Sequence, residues 1–163
     1  MIILLNGSIN AGKTTVSKRL RELLPRTAHV EVDSLREFID WMPLEESIPI
    51  NIEAAIAVTK VFVGRGLHVV FSYPLRPEDY DILLRELAEL GVPVHCVTLR
   101  PRLEVSLTDR GTRQLTDWER QRIEYHYETR LNDPAVGIIL DNSAQSPDET
   151  ARDILRYIQT NDV

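Results

Sequence analysis

The sequence predicts an α/β fold, a five-stranded parallel sheet with helices on both faces in three layers, and three observations carry that expectation. Short apolar runs rich in β-branched residues alternate with longer segments of helical period. Four of the five runs are apolar at nearly every position, as in strands covered on both faces. Helix start and stop signals fall between the runs.

Strands are expected at Ile2 to Asn6, Ala28 to Val32, Leu67 to Ser72, Val92 to Leu99 and Val136 to Leu140. The first helix follows Gly12, carries Val16, Leu20, Leu23 and Leu24 on one side, and stops before Pro25, which cannot continue it. A short piece follows at Ser34 to Met42. A longer helix from Asn51 to Val63 aligns Ile52, Ala55, Ile56, Thr59 and Phe62 and ends at Gly64 and Gly66. Pro77, with Glu78 and Asp79 at the positive end of the dipole, opens a helix carrying Tyr80, Leu83, Leu84 and Leu87 to a stop at Gly91. Thr116-Asp-Trp-Glu119 and Ser146-Pro-Asp-Glu149 are capping boxes. They start a helix running to Leu131 and a last one whose Ile154, Leu155 and Ile158 face the core. The stretch Arg100 to Thr116 is the least regular, with a short helix expected at Leu103 to Asp109.

The chain has 163 residues, 19 Lys or Arg against 25 Asp or Glu, a net charge of −6, and one Cys. This length implies one domain over residues 1–163 with a core that needs no metal or disulfide. Cys96 has no internal partner and reads as a small buried hydrophobe. No apolar run approaches the roughly 18 residues of a membrane span. Met1 leads into Ile-Ile-Leu-Leu without a basic leader, so a cytoplasmic protein with no membrane partner is expected. The acidic balance argues against nucleic acid as a partner. No unused apolar stripe compels association, which leaves monomer or homodimer.

Gly7-Ser8-Ile9-Asn10-Ala11-Gly12-Lys13-Thr14 matches the phosphate-loop pattern G-x-x-x-x-G-K-[ST] directly after an apolar strand and directly before an amphipathic helix. Gly7 permits the turn, and successive backbone N–H groups with the helix N-terminus receive a β-phosphate. Lys13 reaches the β- and γ-phosphates and the Thr14 hydroxyl can ligate Mg²⁺. Thr15 reads as structural or as a weak phosphate contact. The expected architecture is therefore the P-loop NTPase fold.

A guanine-reading Asn or Thr-Lys-x-Asp tetrapeptide is lacking, which argues against a regulatory GTPase, and the strand Leu67 to Ser72 ends without the carboxylate of motor and transporter ATPases. The available carboxylate is Asp33, after the second strand at the loop's edge of the sheet. It can take a proton from an incoming hydroxyl and help hold a water on Mg²⁺; the bland alternative is a helix cap. Glu31 and Glu37 are weaker substitutes.

Residues 100–130 carry seven Arg and no Lys, and guanidinium forks suit phosphate. Arg110 and Arg113 fall in a short lid at about 103–118 that can bring them onto a transferring phosphoryl group, salt bridging being the alternative. Arg120 and Arg122, in an acid-rich helix, are expected in salt bridges. Arg100 either stacks near a base or ties the end of its strand. Arg36, Phe38, Trp41, Met42, Tyr73 and Arg76 mix apolar surface with donors, as a pocket for a small organic acceptor would; Trp41 and Met42 read equally as packing residues. Trp118, Tyr125, His126 and Tyr127 share a helix and read as packing and a wet face. His29, His68 and His95 read as structural.

The combination of Gly7 to Thr14, Val32-Asp33-Ser34-Leu35, Leu99-Arg100-Pro101 leading to Arg110-Gly-Thr-Arg113, and Leu140-Asp141-Asn142-Ser143 before the last capping box resembles the small P-loop kinases of the chloramphenicol phosphotransferase and shikimate kinase type. The resemblance spans almost the whole chain. It implies ATP and Mg²⁺, phosphoryl transfer to a small-molecule hydroxyl acceptor, Asp33 as the acceptor-side base, Arg110 and Arg113 as lid residues, and Asn142 or Ser143 near the adenine. Ser72-Tyr73-Pro74 stands where shikimate kinases carry a glycine-rich substrate segment, so the expected acceptor is an antibiotic, nucleoside, sugar or related metabolite instead. Two other readings compete: a polynucleotide or tRNA-end kinase using the Arg segment as a backbone groove, and a nucleotide-controlled binding switch with weak ATPase activity.

Overall fold

Strand β1 (Ile2–Gly7) is buried at every position, and the layers follow from that. In the computed structural model, which describes residues 1–109, 114–131 and 133–161, the chain continues through α1 (Lys13–Leu23), β2 (Thr27–Glu31), α2 (Val32–Leu35), α3 (Leu44–Gly64) and β3 (His68–Ser72). It then forms α4 (Pro77–Ala88), β4 (Val94–Leu99), α5 (Leu103–Ser106), α6 (Asp117–Glu128), β5 (Ile138–Leu140) and α7 (Pro147–Asn161). A 3-10 turn spans Arg36–Ile39.

The five strands are parallel in the order β2-β3-β1-β4-β5. Successive side chains of a strand point to opposite faces. Ile2 and Leu4 accordingly enter one core with Val69, Phe71, Ile52 and Leu83, under α3 and α4. Ile3 and Leu5 enter the other with Val70, Val97, Val16 and Ile154, under α1 and α7. This is the expected three-layer sheet. Of the expected structural histidines, His29 hydrogen-bonds Ser72 Oγ at 2.8 Å, His68 Nδ1 meets the N-terminal amine at 3.2 Å, and His95 is buried in β4.

Helix α3 departs from expectation, starting at Leu44 instead of near Asn51. Pro49 lies inside it, where sequence rules place a break. The extra turns are held by Ser47 N donating to Pro43 O at 3.0 Å and by Glu45 and Glu46 at the positive end of the dipole. The longer helix, of 21 residues, has an 18-residue window of mean hydropathy 1.4, enough by length and composition to cross a membrane, unlike the shorter runs expected. Its apolar stripe is committed elsewhere: Ile48, Ile52, Ala55 and Ile56 are buried in the sheet core.

Strands β4 and β5 each begin two residues later than expected. The late start of β5 has a local cause. Gly137 precedes it at φ 74°, and a Cβ there would stand 2.0 Å from the Cys96 carbonyl oxygen of β4. Only glycine lets the chain enter the sheet at that point. Gly137→Ala is expected to cost at least about 2 kcal/mol, read as a lowered urea midpoint at unchanged slope; a midpoint within error of wild type would contradict this packing.

Candidate functional site

The strand order places the connection leaving β1 at the point where the chain turns to opposite sides of the sheet, the position where open parallel sheets form a crevice beyond the strand ends. The chain leaves β1 at Gly7, φ 151°, where a Cβ would lie 2.7 Å from the Leu99 carbonyl oxygen and 3.0 Å from Ala11 Cβ. Asn10 at φ 61° and Gly12 at φ 97° continue the turn into α1, whose N-terminus opens on the crevice. Lys13 Nζ donates to the carbonyls of Gly7 and Ser8, each at 2.9 Å. The amine thus lies folded across the loop.

Other elements brace this loop. Asn10 Nδ2 donates to the carbonyls of Ser106 and Thr108, both at 2.9 Å. Asn142, buried after β5, donates from Nδ2 to Ala11 O at 3.0 Å. Ser8 Oγ hydrogen-bonds His126 Nδ1 at 3.1 Å, a fully buried pair joining the loop to α6.

A cleft of about 560 Å³ lies over the loop, lined among others by Lys13, Thr14, Thr15, Glu31, Asp33 and Asn142. On its floor Thr14 Oγ1 donates to Glu31 Oε1 at 2.5 Å. Two residues beyond Glu31, Asp33 sits in the first turn of α2, inside the helix; the capping position belongs to Glu31, with no side-chain cap bond. Asp33 reaches the cleft, and the crowding of its walls raises the Asp33 carboxyl above the ordinary range; the Lys13 ammonium works against that shift and the Glu31 charge adds to it.

A second cavity, of about 230 Å³, adjoins the first and shares Ile9, Asp33 and Pro74 with it. Its other walls include Tyr73, Arg76, Trp118, Arg122 and His126. Burial chiefly, with the charge of Asp33, pushes the Tyr73 phenol up, so it stays a neutral donor. Arg76 is paired with Asp79 at 3.3 Å and Glu78 at 3.4 Å. Arg122 lies 3.6 Å from Glu45 and 5.1 Å from the centroid of the Tyr125 ring.

Of the residues expected here from sequence, the phosphate loop, Lys13, Thr14, Thr15, Asp33, Tyr73, Arg76 and Asn142 converge on these two cavities. Arg36 does not line either; its guanidinium donates to Ser47 Oγ at 2.7 Å, tying the 3-10 turn to α3. Phe38 and Trp41 are 81% and 76% exposed, so they do not pack as core residues. Ser143 accepts from Arg102 N at 2.7 Å and donates to the Asp141 carboxylate, away from the cleft lining. Arg100 pairs with Asp133 at 3.5 Å and Arg120 with Asp109 at 3.0 Å. Arg110 and Arg113 lie outside the described residues. Burial pushes the Cys96 thiol up to about 11, in keeping with an inert side chain. Glu31, a weaker substitute for Asp33 in the sequence, is the carboxylate that meets Thr14. One residue gains importance that the sequence did not reveal: His126 turns from its helix to both the loop and the second cavity.

Several solved structures superpose over nearly the whole chain. They include a tunicamycin resistance protein from Deinococcus radiodurans (19% identity, 96% of this chain and 94% of that one, TM-score 0.67). A gluconokinase from Sinorhizobium meliloti matches at 18% identity over 97% and 91%, TM-score 0.69. The Mycobacterium tuberculosis APS kinase in complex with AMPPNP and APS matches at 13% identity over 97% and 96%, TM-score 0.65. The chain has the fold of the small P-loop kinases. No protein-family model matches it, and no curated protein matches it in sequence. At these identities the small P-loop kinase fold is what is shared, and the chemistry has to be argued from this chain's own side chains.

The buried His126 gives this fold an acid sensitivity. Burial foremost, then the charges of Arg122 and Lys13, push the His126 imidazole down to about 4. Between that value and about 6.5, the ordinary value in an unfolded chain, the unfolded state binds a proton that the folded state does not. Stability from this residue is therefore complete above pH 6.5 and is lost as pH falls toward 4, by about 3 kcal/mol in all. His126→Asn is expected to flatten the rise of unfolding free energy with pH in that window, measured by urea denaturation at half-unit steps; identical slopes in both proteins would refute it.

Proposed function

We propose that the protein is an ATP- and Mg²⁺-dependent phosphotransferase that moves the γ-phosphate of ATP to a hydroxyl of a small molecule. One observation carries this reading: the phosphate-loop cleft and the second cavity meet at Asp33. A carboxylate in a wall common to a nucleotide site and a small pocket suits transfer between two bound molecules better than hydrolysis. The second cavity's volume, about 230 Å³, suits a metabolite-sized acceptor, and its mixed lining of Tyr73, Trp118, Ile48 and the paired arginines suits one with an apolar face.

In this reading the loop's N–H groups and the α1 N-terminus hold the β-phosphate. The Lys13 amine, now on the Gly7 and Ser8 carbonyls, transfers to the β- and γ-phosphate oxygens when ATP binds. Asp33 accepts the acceptor hydroxyl proton while the new O–P bond forms. The bond from the γ-phosphorus to the bridging oxygen breaks, and its electron pair leaves on ADP. The residues present fit a magnesium ion: Thr14 and Glu31, in contact on the cleft floor, are an oxygen donor pair of the kind Mg²⁺ takes. Bound there, it would supply positive charge to the β- and γ-phosphate oxygens. Asn142, which lines the cleft and donates to Ala11 O, stays the candidate for the adenine side, and the structure holding AMPPNP supports an adenine nucleotide as donor.

The test is ADP release from Mg-ATP over amphenicols, aminoglycosides, nucleosides, sugars, shikimate and short RNAs, with Lys13→Ala as blank and mass detection of product. At least one small hydroxyl compound is expected to raise turnover about tenfold or more, equivalent to about 1.4 kcal/mol in the barrier, and to gain a phosphate. Uniformly slow hydrolysis with no phosphorylated product would end the phosphotransferase reading, and phosphorylation of RNA alone would move it to the polynucleotide class.

Asp33→Asn is expected to lower kcat at least about 100-fold with ATP affinity largely kept. Because Asp33 must be ionised to take the proton and its carboxyl is raised, the acid limb of the wild-type kcat/KM profile should lie above the ordinary carboxylate range. An acid limb at or below that range would take the base role from Asp33.

A further inference from the structure

Among the described residues His126 is the one imidazole that lines the second cavity while it hydrogen-bonds the phosphate loop, and its two ring nitrogens have different surroundings. Nδ1 is 3.1 Å from Ser8 Oγ across a sequence separation of 118 residues, with both side chains buried. The same residue lines the second cavity, beside Asp33 and Tyr73. In an imidazole the two nitrogens sit on opposite flanks of the ring, so a ring held at Nδ1 by the loop has its Nε2 turned away from the loop.

Its placement is rigid. Helix α6 is capped by Thr116, whose Oγ1 accepts from Glu119 N at 3.2 Å. Tyr127 OH, next in sequence, meets Ser106 Oγ at 2.8 Å and donates to the Pro101 carbonyl. Arg120 Nη1 donates to the carbonyl of Leu107. One turn past the ring, Leu131 N donates to His126 O at 3.0 Å. The other polar groups of the cavity wall are largely committed. Arg76 is held by Asp79 and Glu78, and Arg122 by Glu45 and the Tyr125 ring. Burial foremost, then the charges of Arg122 and Lys13, keeps the imidazole neutral, so it carries one N–H and one lone pair.

We infer that His126 is a specificity-determining residue of the acceptor site: anchored on Ser8 through Nδ1, it presents Nε2 to a hydroxyl or carbonyl group of the acceptor and so sets that molecule's position relative to the phosphate loop. This rests on the phosphotransferase reading above. A bidentate role of this kind differs from a packing role in a way that substitution can separate. Asparagine places an amide where Nδ1 lies and glutamine places one where Nε2 lies, so His126→Asn keeps the Ser8 side and His126→Gln keeps the cavity side.

The experiment measures initial rates with Mg-ATP and the amphenicol, aminoglycoside, nucleoside or sugar that the wild type phosphorylates fastest, in wild type, His126→Asn, His126→Gln and Ser8→Ala. In His126→Asn the KM for that compound should rise about tenfold or more while the KM for Mg-ATP changes less than about twofold, and in His126→Gln the compound's KM should return to within about threefold of wild type. Equal effects of Asn and Gln, or parallel changes in both KM values, would reduce His126 to a structural residue. If His126→Asn does not fold, as read by thermal melting, Ser8→Ala decides: it keeps the ring and removes the anchor, and should raise the compound's KM more than that of Mg-ATP, the opposite order overturning the assignment. A wild type that phosphorylates nothing removes the phosphotransferase reading and this inference together; wild-type transfer matched by all three variants removes this inference alone.

Discussion

A phosphate loop must keep its N–H groups unpaired toward the cleft, because an anion is what satisfies them, and yet it must not collapse in the meantime. The loop here meets that constraint by being braced almost entirely through side chains and carbonyl oxygens. Ser8 uses its hydroxyl on His126, Asn10 its amide on Ser106 and Thr108, and Ala11 its carbonyl on Asn142. Lys13 caps the carbonyls of Gly7 and Ser8 with its ammonium. The loop's single internal backbone bond described is Ala11 N to Ser8 O at 3.2 Å. The geometry is thus held from outside, and what holds it also forms the neighbouring cavity.

That external support explains the division of labour along the chain. The first strand and helix supply the loop, while its braces come from α5, α6 and the turn after β5. Between them Asn6 acts as a junction: fully buried at the end of β1, it accepts from Leu75 N at 2.8 Å and donates to Thr98 Oγ1 at 3.3 Å. One amide therefore fixes the segment that carries Tyr73, Pro74 and Arg76 against the strand that leads to the loop. A polar group in a core is tolerated when its bonds are made, and a satisfied one specifies a unique arrangement. The second cavity inherits its shape from this arrangement.

The parts legible in the sequence are those encoded locally. Five apolar runs, Gly12, Pro25, Pro77 and the two capping boxes mark elements through spacing of a few residues, and the G-x-x-x-x-G-K-T pattern marks the loop in the same way. The N-terminal turns of α3 lie before the expected start at Asn51 and contain Pro49, whose cost is offset by the dipole and by packing of Ile48 and Ile52. The site's contacts were hidden for a different reason. Ser8 and His126, or Asn142 and Ala11, lie more than a hundred positions apart, and no periodicity records which helix face meets which loop. His126 in particular sits among Glu124, Tyr125 and Tyr127, a neighbourhood that reads as packing and a wet face and gives no sign of the bond to Ser8.

The pair Glu31 and Asp33 shows how a small backbone change turns two similar side chains to different uses. Residues two apart in a strand point to the same face, and continuing β2 would have set both carboxylates side by side. Instead Glu31 is the last strand residue, at φ −94° and ψ 112°, and the chain enters α2 at Val32, which is buried. The helical turn swings Asp33 away from the strand direction. Glu31 is left on the cleft floor against Thr14, and Asp33 comes to the wall between the cavities. The four-residue length of α2 is intelligible on this basis, since it makes one rotation and then yields to the 3-10 turn that Arg36 pins to α3. Separation also gives the two carboxylates different surroundings: burial in the cleft walls, and with it the Glu31 charge, makes ionisation of Asp33 harder, while the Lys13 ammonium opposes that shift. A carboxylate whose ionisation is made harder in that way is a stronger proton acceptor than a fully solvated one, and it stands in the wall shared by the two cavities, as the proposed transfer requires.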